Sequence, residues 1–318
     1  MLTPDAYTNR LYKIHPVRLI AYKQRHWERT VGSLVLAWMV IVGLVQAVTI
    51  WPVLWWGYPV VALFIAGRAG VMLQVAHEAC HRLICSGPFN NWMGQAACAM
   101  IGLDFQEYKD GHLKHHVSAN TAEEPENDRE KYKVCDIRDP RLWGLFAKDW
   151  LGMTAWEVRL RYAGGVTASA WPKYLRIGLA QLVILGVVFQ GHLWHYWLLW
   201  PLPLMTAHMF LMRVRGIAEH GLAPQLGYPV LPNAEAGDYY TRSFGTPSCH
   251  YAFWPFLWLE RALIGSLNVY YHHEHHLFPT IPYYHLPLVH EEIAREERRH
   301  NTRVFAKGYV ACLWPSSS

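Results

Sequence analysis

The sequence predicts an all-helical integral-membrane protein: four transmembrane helices, a helical cap on one side of the membrane, and further helices lying at the interface. Three observations predict it. The 318 residues are 52% hydrophobic and only 17% charged, a balance that favours one membrane domain spanning 1–318 over two soluble domains. Apolar runs of about twenty residues, the length that crosses a bilayer, recur along the chain. The densest histidine clusters all fall outside those runs, at ends that the topology places on one side.

The first thirty residues form a mixed, basic arm that includes Arg10, Lys13, Arg18, Lys23, Arg25 and Arg29. Nothing in it reads as a signal peptide, so the first span is expected to act as its own signal. That span, 31–50, is VGSLVLAWMVIVGLVQAVTI, without a charge. A turn rich in tryptophan (Trp51, Trp55, Trp56) suits the interfacial aromatic belt, and a second span, 55–76, follows with Arg68 near its inner end. Snorkelling is the expected explanation for Arg68.

The chain then enters a long mixed region, 77–173, that carries most of the acids. Within it, Asn91–Phe105 and Leu142–Trp156 are apolar on part of their circumference and are expected to lie on the membrane surface. A third span is expected at 177–200. A fourth, at 201–217, is weakened by Arg213 and Arg215 in its last turns. The remainder, 218–318, completes the cap. Its apolar stretch Tyr251–Tyr271 holds Glu260 and Arg261 at the middle and reads as interfacial.

Charge sets the orientation. The turns near Trp51–Trp56 and Leu198–Pro203 contain no Lys or Arg, whereas the arm, the central region and the C-terminal region hold nearly all 29. The positive-inside rule then makes both termini and the cap cytoplasmic. The net charge of +5 is spread over several segments, which suits anionic lipid and not nucleic acid. Six cysteines show no CxxC pair, against a zinc ribbon or a disulfide framework.

Four histidine groups carry the chemistry. They are His77 and His81 in HEACH, then His112, His115 and His116 in HLKHH, the lone His220 in AEHG, and His272, His275 and His276 in HHEHH. Spacings of three and four residues put each cluster on one helical face. Nine neutral imidazoles exceed what one ion takes, and two ions with four or five each account for them. Imidazole suits iron, copper, zinc and nickel, so ligand type does not name the metal. Glu78, Asp110, Glu219 and Glu274 neighbour the clusters and are expected to orient metal-bound rings through the second ring nitrogen. HEACH also satisfies the zinc-protease motif with Glu78 as base, but that reading leaves seven clustered histidines without a role. A metal transporter would place its ligands at mid-membrane depth, where only His208 falls, with His192 and His195 near the outer face. His208 is either functional or hydrogen-bonded to a neighbouring helix.

HEACH, HLKHH and HHEHH, in this order and spacing, resemble the three histidine boxes of the integral-membrane fatty acid desaturases and their hydroxylase and carotenoid-oxygenase relatives. AEHG, the run HHLFPTIPYYHLP after the third box and the acidic EEPEND after the second resemble that family as well. The resemblance covers roughly His77 to His290. It implies two iron ions held by His77, His81, His112, His115, His116, His220, His272, His275 and His276, with O2 as co-substrate and a lipid or acyl substrate. It also implies two electrons from an external donor such as a ferredoxin. Desaturation of a fatty acyl chain is the expected reaction; hydroxylation, ketolation or desaturation of another hydrophobic or amino-acid-derived substrate is the alternative within the family. His273 departs from the family pattern and is left out of the ligand set, and His285 is read as either ring support or interfacial.

Overall fold

The computed structural model describes residues 16–124, 133–162, 171–226, 241–244, 254–300 and 308–314. The N-terminal part of the basic arm, most of EEPEND and Cys249 lie outside them. Every regular element among the described residues is helical.

The central element is α3 (Tyr58–Cys80), which packs against α2 (Trp27–Ile50), α4 (Pro88–Met100) and α5 (Phe105–Ser118). It also packs against α11 (Ala207–His220) and α13 (Trp254–Leu263). From Ile65 to Cys80 α3 is buried on nearly its whole circumference. α2 differs: Ala37, Ile41, Val45 and Val48 form one buried stripe, while Leu36, Met39, Val40 and Val42 face outward. An apolar helix that buries one stripe and exposes the rest requires a non-aqueous surround. Both helices are long and apolar enough to cross a membrane, with mean hydropathy 2.3 and 1.7.

The expected third and fourth spans differ from the observed helices. In place of 177–200, α8 (Trp171–Val187) begins earlier and ends at a reversal where Gln190 and Gly191 both take positive φ (50° and 80°). The chain folds back so that Tyr196 and Trp200 donate to Gln181 Oε1 at 2.9 and 3.1 Å, and Gln181 donates to the carbonyls of Ala99 and Met100. In place of 201–217, the return is made of three pieces: α9 (Leu193–Leu199), α10 (Pro201–Met205) and α11. Pro201 and Pro203 lack the N–H that a continuous helix needs and break it between α9 and α10; the second break falls at Thr206, whose φ −117° and ψ −88° are not helical.

Three charges left awkward by hydropathy have partners. Arg213 makes a buried two-pronged pair with Asp149 (2.5 and 2.9 Å) of α6 (Pro140–Trp150), fastening α6 and α7 (Met153–Tyr162) to α11. Arg68 does not snorkel; its guanidinium donates to the Ala262 carbonyl. Glu260 turns inward and accepts from the backbone N–H groups of Tyr309 and Val310. The outer faces of α6 and α7 expose Trp143, Trp150, Leu151, Met153 and Trp156, as an interfacial pair of helices would. His208 Nδ1 lies 3.0 Å from the Ala66 carbonyl and so serves helix packing.

α4 lies closer to α3 than any side chain would permit. At Gly94 a Cβ would overlap the Phe105 ring and stand 2.8 Å from Ala79 Cβ. Phe105 opens α5 and Ala79 lies between His77 and His81, so this contact sets the first histidine pair against the second cluster. Gly94→Ala is expected to destabilise the protein by about 1–3 kcal/mol, the cost of overpacking, read as a lower unfolding midpoint in detergent.

Candidate metal centre

Local structure positions each histidine. α3 runs on past His77 and stops at His81, where Arg82 takes φ 58° and Leu83 N–H bonds back to the Glu78 carbonyl at 2.9 Å. Asn90 Nδ2 holds the Ala79 carbonyl at 2.8 Å, so the last turn of α3 is fixed from the α4 side. α5 is capped by Asp104, which accepts from Gln106 and Glu107 N–H. Lys173 and Arg176 of α8 bind Glu107 and Asp104 and brace that end. His220 closes α11, and α14 (His272–Leu277) is a six-residue helix packed on α15 (Leu286–His300).

The structure brings all nine expected histidines together, in two groups. His77, His81, His112, His116 and His275 form one; His115, His220, His272 and His276 form the other; within each, the offered ligand atoms lie within 4.8 Å of one another. His273 is in neither. α5 feeds both groups, His112 and His116 to the first and His115 to the second, because neighbouring side chains diverge by about 100° around a helix. α14 divides likewise, with His275 in the first group and His272 and His276 in the second.

The nitrogens meet tip to tip. His112 Nε2 is 2.8 Å from His81 Nε2 and 3.1 Å from His116 Nε2, and His116 Nε2 is 3.0 Å from His275 Nε2. In the second group His220 and His272 approach Nε2 to Nε2 at 2.7 Å. A neutral imidazole has one N–H and one lone pair, so rings sharing one nitrogen among several neighbours satisfy it poorly. Two nitrogens at right angles around an ion, each about 2.1 Å away, stand about 3 Å apart. His77 Nε2, fully buried and without a hydrogen-bond partner, belongs to the first group. The donor set therefore fits two metal ions. Burial pulls His81 down to about 3. Burial, then neighbouring rings, holds His112, His116, His272, His275 and His276 well below the usual imidazole range. These rings are neutral at physiological pH, the form that binds a cation.

The four expected acids meet different fates. Glu219 takes the Arg215 guanidinium at 2.8 and 3.0 Å and stands 3.5 Å from His272 Nδ1. Glu78 accepts from Tyr283 N–H at 3.2 Å and lies 3.6 Å from His77 Nδ1, so it does not stand as a base facing an open metal position. Asp110 is exposed and accepts from Gln106 instead; two residues before His112, it is about 200° around the helix from the ligand face. Glu274, on the far side of α14 for the same reason, accepts from Ser243 Oγ at 2.8 Å and pairs with His290. The expectation that Asp110 and Glu274 touch metal-bound rings is corrected accordingly.

Glu124 fills the role that Asp110 does not. Its buried carboxylate meets His115 Nδ1 at 2.8 Å and Asn120 N–H at 2.8 Å. The signal was present in the sequence as the acids after the second box, but nothing local told Glu124 from its neighbours. Gln74, one turn before His77 and 3.0 Å from its Nδ1, was equally invisible. His285 supports no ligand; its Nδ1 lies 2.7 Å from the Tyr22 carbonyl and anchors α1 (Pro16–Tyr22).

A model of the family described as "Fatty acid desaturase" matches residues 51–308, well over half of the chain and all nine histidines. The chain belongs to the fatty acid desaturase family. Comparison with curated proteins returns no match.

Two outcomes follow from this geometry. Glu124→Gln should weaken metal binding about 10–100-fold, whereas Asp110→Asn should leave it unchanged, both measured by metal titration of the metal-free protein. With His81 at about 3 in the folded chain and about 6.5 when unfolded, the unfolded state binds more protons between those values. The stability of the metal-free protein should therefore fall as pH drops below about 6.5, seen as a lower melting point at pH 5.5 than at pH 7.5.

Proposed function

We propose that this chain is a membrane-bound di-iron oxygenase that introduces a double bond into a fatty acyl chain, using O2 and two electrons from a separate carrier such as a ferredoxin. The observation that carries this reading is the division of nine imidazoles, six of them buried and three half-buried, into a group of five and a group of four within a desaturase-family chain. An unactivated C–H bond offers no acid–base handle, so a redox metal must supply the chemistry. Two bound irons supply the activation of O2 and the removal of hydrogen.

The chain's own residues hold, orient and shield. His77, His81, His112, His116 and His275 would hold one iron, and His115, His220, His272 and His276 the other. Glu124 accepts from His115 Nδ1 and leaves Nε2 for the metal; Glu219 sets a negative charge 3.5 Å from His272 Nδ1 without a hydrogen bond to it. Burial keeps water from the centre and the rings neutral. An acyl chain needs only an apolar path and a fixed stop against the centre, which the lipid-facing helices around α3 suit.

In the membrane, α2 and α3 cross as one pair, and α8 with the broken return α9–α11 as the second. The two turns joining these pairs lie together at the end away from the histidines, with the Tyr58 and His195 rings 6.0 Å apart. Neither turn carries Lys or Arg, which supports a cytoplasmic centre and cytoplasmic termini.

Metal analysis of the purified protein tests this directly: two irons per chain are expected, and one zinc without iron would overturn it. Lipid profiling of a host expressing the chain should show a new double bond that is lost with His272→Ala. His220→Ala should abolish turnover, and His273→Ala should retain a substantial part of it. A new hydroxyl group would assign the chain to the hydroxylases.

A further inference from the structure

The four-histidine group poses a structural problem. Three of its members come from two elements that follow one another only distantly in the chain: His220 from the last turn of α11, and His272 and His276 from α14. Those rings must meet to within a few tenths of an ångström, yet α14 is six residues long, too short to hold its own shape.

The segment Thr241–Phe244 lies between them, and all four residues are buried. The peptide groups of one residue bridge the two elements. Arg242 N–H donates to the Glu219 carbonyl at 2.9 Å, and His273 N–H donates to the Arg242 carbonyl at 3.2 Å. Glu219 precedes His220 and His273 follows His272, and the Nε2 atoms of those two histidines are 2.7 Å apart. The side chains repeat the pattern. Arg242 Nη1 donates to the Ala218 carbonyl at 3.1 Å, and Nη2 donates to Gln225 Oε1. Gln225 in turn donates to the carbonyls of Cys135 and Cys312, both at 2.8 Å. Thr241 Oγ1 meets His273 Nδ1 at 3.0 Å. Ser243 Oγ donates to Glu274 Oε1 at 2.8 Å, beside His290 Nδ1 at 3.3 Å. Phe244 N–H closes the set on the Tyr270 carbonyl at 2.7 Å.

We propose that Thr241–Phe244 is a clip that sets the separation of α11 and α14, and that Arg242 and Ser243 are positioning residues for the four-histidine metal position. The inference rests on the two-metal reading above. His273 and Glu274, which do not join the ligand groups, acquire a role in it: they are the points on α14 to which the clip attaches. The effect is selective. Three of four ligands in the second group depend on the relation of α11 to α14, whereas the five-histidine group takes four of its members from α3 and α5 and only His275 from α14.

Cobalt(II) titration of the metal-free full chain, followed by its visible absorption, separates the two positions. The wild type is expected to take up two ions per chain. Arg242→Gln and the milder Ser243→Ala should each weaken one uptake step about 10–100-fold, the range for groups that orient ligands, and leave the other within about twofold. The band they lose should be the one lost with His276→Ala. Arg242→Lys, which retains a cationic donor for the Ala218 carbonyl, should fall between wild type and Arg242→Gln. Equal weakening of both steps marks a merely structural role and overturns the proposal, as does unchanged binding in Arg242→Gln. Should Arg242→Gln not fold, Ser243→Ala decides alone. A wild type that binds fewer than two ions overturns the two-metal reading itself, a result distinct from failure of the clip.

Discussion

Nine imidazoles brought nitrogen to nitrogen in a buried space are the constraint on which the remaining structure depends. Burial disfavours the charged form of seven of these rings, neighbouring rings disfavour it further, and a neutral ring has a single N–H to share. Packed this way the rings are poorly satisfied unless cations lie among them. The surrounding helices must hold the rings in place against that tendency, because a metal site formed only on binding would draw its ordering cost from the affinity for metal.

Several features that look incidental serve this purpose. Gly94 lets α4 approach α3 and α5 at the level of the first histidine pair. The Asp149–Arg213 pair fixes α11, whose last residue is His220. Tyr283 N–H on Glu78 ties the run after the third box to the helix of the first. Buried polar groups of this kind are costly when left unpaired and rigid when paired, and here each one restrains an element that carries ligands.

The sharing of α5 and α14 between the two groups has a mechanical consequence. Neither group can shift as a unit, since a movement of α5 that improves the geometry around His115 displaces His112 and His116 in the other group. Through α5 the two positions are coupled by helix geometry, and their separation is set by the roughly 100° between adjacent side chains on a helix; α14 gives the five-histidine group only His275.

Much of this was legible in the sequence. The helical class, the first two spans and eight of the nine histidines follow from apolar run length and from spacings of three and four, because those patterns are properties of one helix at a time; the lone His220 rests on the resemblance of AEHG to the family. His273 was excluded by its departure from the family pattern, and its place one position around the helix from His272 agrees with that. Other features were not local. The break at Val188–His192 replaced an expected continuous span, since uncharged residues alone do not reveal a reversal. The choice of Glu124 over Asp110, and the turning of Glu274 toward Ser243 and His290, depended on which side of each helix faced another. The sequence by itself determined which residues are chemically equipped to bind metal. Only the tertiary structure decided how they divide into five and four and which carboxylates reach them, because both are set by the distances between helices that no single segment encodes.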